Sequence, residues 1–157
     1  MIKRIDITKK EQAERVLQVQ LPSYKIEASL IGSSDIPPLF DTAYSLLYCG
    51  ETFYGYWEAE ALCGVISLKI ESDELDIHRL VVHPDHFKKG IAQKLLSFIE
   101  RQYPVPLIKV ATASLNLPAI QLYQKNGFEK VREEKVLTGL SLSFFEKQHQ
   151  CFFRGTF

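Results

Sequence analysis

The chain has 157 residues, 46% of them hydrophobic, and its 19 Lys and Arg balance 19 Asp and Glu to a formal net charge of zero. That length suits one compact domain with a substantial core, residues 1–157, and the balanced charge excludes a global field drawing the protein to nucleic acid or to an anionic membrane. No stretch approaches the roughly 18 apolar residues of a membrane span, and no long apolar region follows the basic pair Lys3 and Arg4, so a cytoplasmic protein is expected.

Residues 2–7 alternate apolar and polar side chains, as a half-buried strand does. Thr8, with Glu11 at the capping-box position, starts a predicted helix over 9–20, and a second helix follows over 23–31. The run from Gly32 to Pro38 breaks regular structure, and a short helix is predicted within 41–49. Residues 52–57 and 61–71 read as strands of one hairpin, and after a turn at 72–74 residues 75–82 form a third antiparallel strand.

Ile91, Leu95, Phe98 and Ile99 recur at helical spacing, which predicts a helix over 90–103 ended by Pro104. Residues 107–112 then form a short strand without alternation, as expected where both faces are buried. A strand, helix and strand in succession make a crossover, so this strand runs parallel to 75–82 and the sheet is mixed. The last helix begins near Asn116, tolerates Pro118 in its first turn, and ends at Asn126 and Gly127. Two further strands are predicted, one from Phe128 through Val136 and one over 141–145.

Cys49, Cys63 and Cys151 are odd in number, widely spaced and lack a Cys-x-x-Cys pair, which argues against a disulfide framework or a zinc site. His83 and His86 flank Pro84 without further ligands nearby, so they are expected as solvated loop residues and no metal site is assigned. The stretch richest in chemistry is LVVHPDHFKKGIA, residues 80–92, in which a strand turns through a basic loop directly into a helix. That arrangement converges backbone N–H groups on one point, where an anion such as a pyrophosphate is stabilised. Gly90 and Ala92 leave room for a phosphate oxygen, and Lys88 and Lys89 add positive charge. It is neither a P-loop nor a three-glycine dinucleotide motif, and a Lys-Gly turn of this kind also occurs in α/β proteins without a ligand.

Two segments, LVVHPDHFKKGIAQKLL at 80–96 and NLPAIQLYQKNGF at 116–128, together resemble the GNAT superfamily of N-acetyltransferases. The resemblance implies an α/β (α+β) single-domain GNAT-like fold, a mixed central sheet of about six to seven strands flanked by helices. It implies acetyl-CoA as cofactor and an amine substrate as the other partner, with no nucleic acid and no membrane, and it leaves a homodimer open. In the family loop pattern, Gln/Arg-x-x-Gly-x-Gly/Ala, the matching positions are Phe87, Gly90 and Ala92, and Phe87 departs from it. The backbone of Lys88, Lys89, Gly90, Ile91, Ala92 and Gln93 is then expected to hold the pyrophosphate, and the pantetheine arm to lie along Leu80, Val81 and Val82, where the strand splays from its parallel neighbour.

The resemblance also assigns Asn116 and Ala119 to the cofactor arm and places Tyr123, about two helical turns beyond Asn116, near the thioester sulfur. A phenol there could protonate the leaving thiolate as general acid, against the alternative of a tyrosine that only packs. Alternation along 75–82 would set Asp76, His78, Leu80 and Val82 on one face. Histone-acetylating relatives carry a glutamate at the position matching Asp76, and some arylalkylamine-acetylating relatives carry histidines at those matching Asp76 and His78. His78 is therefore the candidate base with Asp76 beside it, weighed against an exposed aspartate and a packed histidine. The oxyanion is expected at the Val82 N–H, and transfer is expected to be direct, without an acyl-cysteine. Tyr24, Glu27 and Asp35 could receive an amine, but a solvated helix face and a packing tyrosine explain them equally well, and the acceptor is left open between the primary amine of a small molecule and that of a peptide. Alternatives from other classes are a non-catalytic acyl-CoA-binding sensor or regulatory module and an unrelated nucleotide-phosphate-binding domain.

Overall fold

The computed structural model describes residues 1–136 and 139–148, so Cys151 lies outside the described residues. The strands are β1 (Ile2–Ile5), β2 (Thr52–Glu58), β3 (Ala61–Glu71), β4 (Glu74–Val82), β5 (Leu107–Ala113), β6 (Glu129–Lys135) and β7 (Ser141–Gln148). They form a seven-stranded sheet in the order β1-β2-β3-β4-β5-β7-β6. Among the described residues only the β4 and β5 pair is parallel, joined by the crossover helix α3 (Ile91–Gln102). This is the expected mixed sheet flanked by helices.

Each face of the sheet carries its own core. On one side Ile91, Leu95, Leu96 and Ile99 of α3 and Tyr123 of α4 (Leu117–Lys125) pack on Ile66, Leu75, Ile77 and Ile108. On the other, Ala13, Val16 and Val19 of α1 (Lys10–Ile31) and Leu46 of α2 (Ala43–Leu47) cover Ile5, Phe53, Val65 and Val81. Gly64 lies beneath the start of α3, where an added Cβ would sit 2.7 Å from Ile91 Cγ2 and 3.3 Å from the Val81 carbonyl oxygen. Gly64→Ala is expected to lower stability by about 1–3 kcal/mol through overpacking, read as a drop in the urea midpoint at unchanged slope.

Three local expectations are corrected. The helices predicted over 9–20 and 23–31 are one element, α1, with Pro22 inside it. Proline removes one backbone donor, and the packed residues Val16, Val19 and Gln20 before it and Tyr24 and Ile31 after it hold the helix through that gap. Thr8 does not cap α1. Its hydroxyl and N–H both donate to Asp6 Oδ1, and the helix starts from Lys9 without a side-chain cap.

The third correction bears on the site. Between β3 and β4 the register passes from Ser67 opposite Arg79 to Leu68 opposite Ile77, which leaves His78 as the extra residue of a β-bulge. Leu75 and Ile77 face the α3 side before the bulge, and Leu80 and Val82 pack on that same side after it. Asp76 therefore points to the opposite face from Leu80 and Val82, and the single face expected for Asp76, His78, Leu80 and Val82 does not form. Just beyond this point β4 and β5 part. Their pairing runs from Glu74 opposite Leu107 to Ile77 opposite Val110 and stops, although both strands continue.

Candidate active site

The loop after β4 is a cradle of free amides. His83 Nδ1 accepts the Asp85 N–H at 3.1 Å, a short 3₁₀ turn covers Pro84–His86, and the chain then enters α3 through left-handed residues at Lys88 (φ 64) and Gly90 (φ 75). A Cβ at Gly90 would meet nothing within 4 Å, so that glycine answers a conformational need and not a steric one. Among the described residues nothing accepts from the N–H groups of residues 88–93, and the first paired amide of the helix is Lys94, bonded to the Gly90 carbonyl at 3.0 Å. These amides and the positive end of α3 stabilise an anion.

The side chains of that stretch do other work. Gln93 exchanges two hydrogen bonds with Asn126, at 2.7 and 2.8 Å, and so ties the start of α3 to the end of α4. Ile91 is buried in the core. Lys89 lies 3.5 Å from Glu58 Oε2 and 3.0 Å from His86 Nδ1, so His86 is a half-buried partner and not a solvated loop residue. Glu58, Cys63 and His86 bring one ligand atom each within 4.8 Å of one another, a grouping not visible in the sequence, and the Lys89 ammonium already occupies its edge. Lys88 makes no ion pair among the described residues. Phe87, at the discordant position, is 41% exposed and lines a cleft of about 480 Å³ together with Val82, residues 88 and 90–93, and Ala119.

A second cavity, about 720 Å³ and largely apolar, opens on the other side of the β4 and β5 wedge. Its walls include Tyr24, Glu27 and Ile31 of α1, His78 to Leu80 of the bulge, Ala111 and Ala113 of β5, and Leu140 and Leu142. Leu80, Ala119 and Tyr123 line both this cavity and the amide-loop cleft, so the two meet at the mouth of the wedge. There β4 has free donors. The His83 N–H bonds back to the Cys63 carbonyl on β3 at 2.8 Å, and alternation then directs the Val82 N–H toward the side that β5 has left.

Tyr123 is 5% exposed, with its ring against Phe128 and Phe145 at centroid separations of 5.5 and 6.2 Å. Its hydroxyl has no hydrogen-bond partner among the described residues. Burial first, and the nearby Glu27 carboxylate second, raise its pKa above the ordinary phenol value, so it stays protonated at neutral pH. Asn116 and Tyr123 share the wall, as their spacing predicts. The Asn116 side chain is nevertheless committed within the protein: Oδ1 caps α4 by accepting the Ala119 N–H at 3.3 Å, and Nδ2 donates to Glu27 Oε1. Burial raises the Glu27 pKa, and the Asn116 hydrogen bond offsets part of that rise.

Of the residues expected as base, only His78 reaches the large cavity. Its ring nitrogens lie 3.9 Å from Glu51 Oε2 and 3.9 Å from Asp76 Oδ2, and Asp76 lines a small polar pocket that it shares with His78, Lys69, Glu71, Glu74 and Lys109. Sequence reasoning missed the neighbouring network entirely. Arg79 donates to Asp41 Oδ2 at 2.5 Å, to Glu51 Oε1 at 2.9 Å and to Gln20 Oε1 at 3.0 Å, which joins α1, the segment before α2 and the residue before β2 to the bulge.

Residues 49–130 match a family described as Acetyltransferase (GNAT) domain. The UPF0157 protein YqkA of Bacillus subtilis strain 168 is 42% identical over 134 residues, which are 85% of this chain and 39% of that protein, so the chain spans about two-fifths of the length of that curated relative. Among solved structures, an N-acetyltransferase of Staphylococcus aureus Mu50 superposes with a TM-score of 0.75 at 17% identity, covering 96% of this chain and 98% of the other. The PaiA N-acetyltransferase of Thermoplasma acidophilum, solved with coenzyme A, gives 0.69 at 21% identity over 94% and 99%. The ribosomal-protein-S18-alanine N-acetyltransferase of Escherichia coli gives 0.70 at 13% identity over 95% and 93%. At these identities the likeness is one of fold.

Proposed function

Because the chain belongs to the GNAT acetyltransferase family, we propose that it moves the acetyl group of acetyl-CoA directly to a primary amine, with Tyr123 as general acid. The observation that carries this is the meeting of the amide-loop cleft and the apolar cavity at Leu80, Ala119 and Tyr123. Acetyl-CoA supplies an activated thioester carbonyl. The unpaired amides of residues 88–93 are donors of the kind a pyrophosphate requires, and the parted edge of β4 at Leu80 and Val82 has main-chain groups to pair with a pantetheine amide. The Val82 N–H is a donor for the carbonyl oxygen as it becomes negative, and the Tyr123 hydroxyl, kept protonated by burial, gives its proton to the departing sulfur. The exposed Phe87 adds no side-chain donor, so phosphate binding rests on backbone amides.

The test is release of free thiol from acetyl-CoA over a panel of amines, beside thermal unfolding with acetyl-CoA alone. Binding at a hundredfold excess over Kd stabilises the fold by about 2.7 kcal/mol whether or not catalysis follows. Stabilisation without thiol release from any amine would favour a binding module that senses acyl-CoA, and no stabilisation at all would remove the cofactor. The loop has its own test. Gly90→Val forces a β-branched residue into positive φ, at a cost of about 1–2 kcal/mol. The KM for acetyl-CoA should rise about tenfold, while that for acetyl-pantetheine, which lacks the pyrophosphate, stays unchanged.

A further inference from the structure

We propose that the acceptor is an apolar primary amine whose ammonium is seated against Glu27 and loses its first proton to that carboxylate; this rests on the acetyl-transfer reading above. Glu27 projects from α1 into the cavity, and its Oε1 is held by Asn116 Nδ2, on the residue that caps α4 two turns before Tyr123. That bond fixes the carboxylate at the wall the acceptor shares with the acid. Of the remaining polar side chains of the cavity, Thr112 carries no charge and the others are committed or placed elsewhere. Arg79 is bound to Asp41 and Glu51, Asp35 is at the exposed rim, Lys135 lies on the β6 side, and Tyr24 and Tyr123 are phenols whose pKa values burial raises. His78 is turned toward Glu51 and Asp76.

Ile31, Ile36, Ile77, Val110, Ala113 and Leu142 are among the apolar residues that line the rest of the wall, which suits a hydrocarbon body. A polycation would leave its further charges along that apolar wall, since the other carboxylate of the cavity, Asp35, stands only at its exposed rim. Burial also favours the neutral forms of both partners, which raises the carboxylate and lowers the ammonium and brings proton transfer between them within reach. The protons balance. The ammonium gives one to Glu27, and the freed nitrogen pair forms the C–N bond. The C–S pair leaves on sulfur, which takes the Tyr123 proton; the second nitrogen proton restores Tyr123, and Glu27 releases its own to solvent. One amide, one thiol and one proton result.

The experiment is thiol release with the full chain on n-alkylamines from butylamine to octylamine, phenethylamine, spermidine and an aminoglycoside. The kcat/KM should rise about fourfold per methylene until the cavity is full, from the roughly 0.8 kcal/mol of each buried CH2. Spermidine and the aminoglycoside should be at least about 100-fold poorer than octylamine. Glu27→Gln should lower kcat/KM for octylamine about 100-fold or more, with acetyl-CoA affinity and the urea midpoint little changed, and Glu27→Asp should restore part of it. A preference for spermidine or the aminoglycoside, or full octylamine turnover by Glu27→Gln, overturns this inference and leaves acetyl transfer standing. Absence of thiol release with every amine overturns both.

Discussion

Tyr123→Phe is expected to lower kcat about 10²–10⁴-fold, the usual contribution of a positioned general acid, while acetyl-CoA affinity changes little. The substitution removes only the hydroxyl. The ring contacts with Phe128 and Phe145 are kept, and because the hydroxyl has no protein partner among the described residues, no donor or acceptor elsewhere is orphaned. The fold should therefore be nearly unaffected, and a urea midpoint close to that of the parent chain separates a chemical loss from a structural one.

The pH dependence of that loss adds a second check. An acid works below its pKa, and burial and Glu27 move the Tyr123 pKa upward from an ordinary value of 10.0. Tyr123 is thus fully protonated across the neutral and mildly alkaline range, and the ratio of parent to variant kcat should be the same at pH 7 and pH 9. Unassisted departure of the sulfur as a thiolate, whose conjugate acid has a reference pKa of about 8.5, does not depend on the bulk pH, so the variant gains nothing from a rise in pH over this range. A variant that turns over at the parent rate at both pH values would leave Tyr123 a packing residue, and a ratio that falls between pH 7 and pH 9 would mean that Tyr123 loses its proton within that range.

How much of this was legible in the sequence depends on the reach of each signal. The apolar spacing of Ile91, Leu95 and Ile99 and the turn at Gly90 are local, and they place α3 and its amide loop correctly. The same holds for Asn116 and Tyr123, whose common wall follows from helical geometry alone. The bulge at His78 is different. No Gly or Pro marks it, and period-two alternation read across it puts Asp76 on the wrong face. Partners far apart in the chain were equally hidden, since Glu27 and Asn116 are separated by 89 positions and Arg79 and Gln20 by 59. Even Pro22, the strongest local helix breaker in α1, was overruled by tertiary packing on both sides.

Arg79→Met is expected to cost about 3–5 kcal/mol at pH 7, a large part of the 5–15 kcal/mol that holds a domain together. The Arg79 side chain is 10% exposed and its partners Asp41 and Glu51 are 16% and 7% exposed, so removing the guanidinium leaves two nearly buried carboxylates without a counter-charge. Gln20 and Ser67 donate to those carboxylates at 2.7 and 2.6 Å, but neither carries charge. Arg79→Lys should recover only part of the loss, because an ammonium cannot serve both carboxylates as the guanidinium fork does. Combining Arg79→Met with Asp41→Asn and Glu51→Gln should recover most of it, since no buried charge then remains. The sign with pH follows from the carboxylates. Burial raises both, but hydrogen bonds from Arg79, helped by Ser45 and Gln20 at Asp41 and by Ser67 at Glu51, more than reverse this and leave both below their ordinary values of 3.8 and 4.5. Their contribution is complete above those values and is lost as pH falls through the lowered ones. In Arg79→Met the carboxylates are raised instead, so acid relieves the variant while it weakens the parent. The gap in unfolding free energy should be widest near pH 7 and narrow below pH 4, and a gap that is small at pH 7 or independent of pH would mean that α1, with Tyr24 and Glu27 on it, is docked by its apolar face alone.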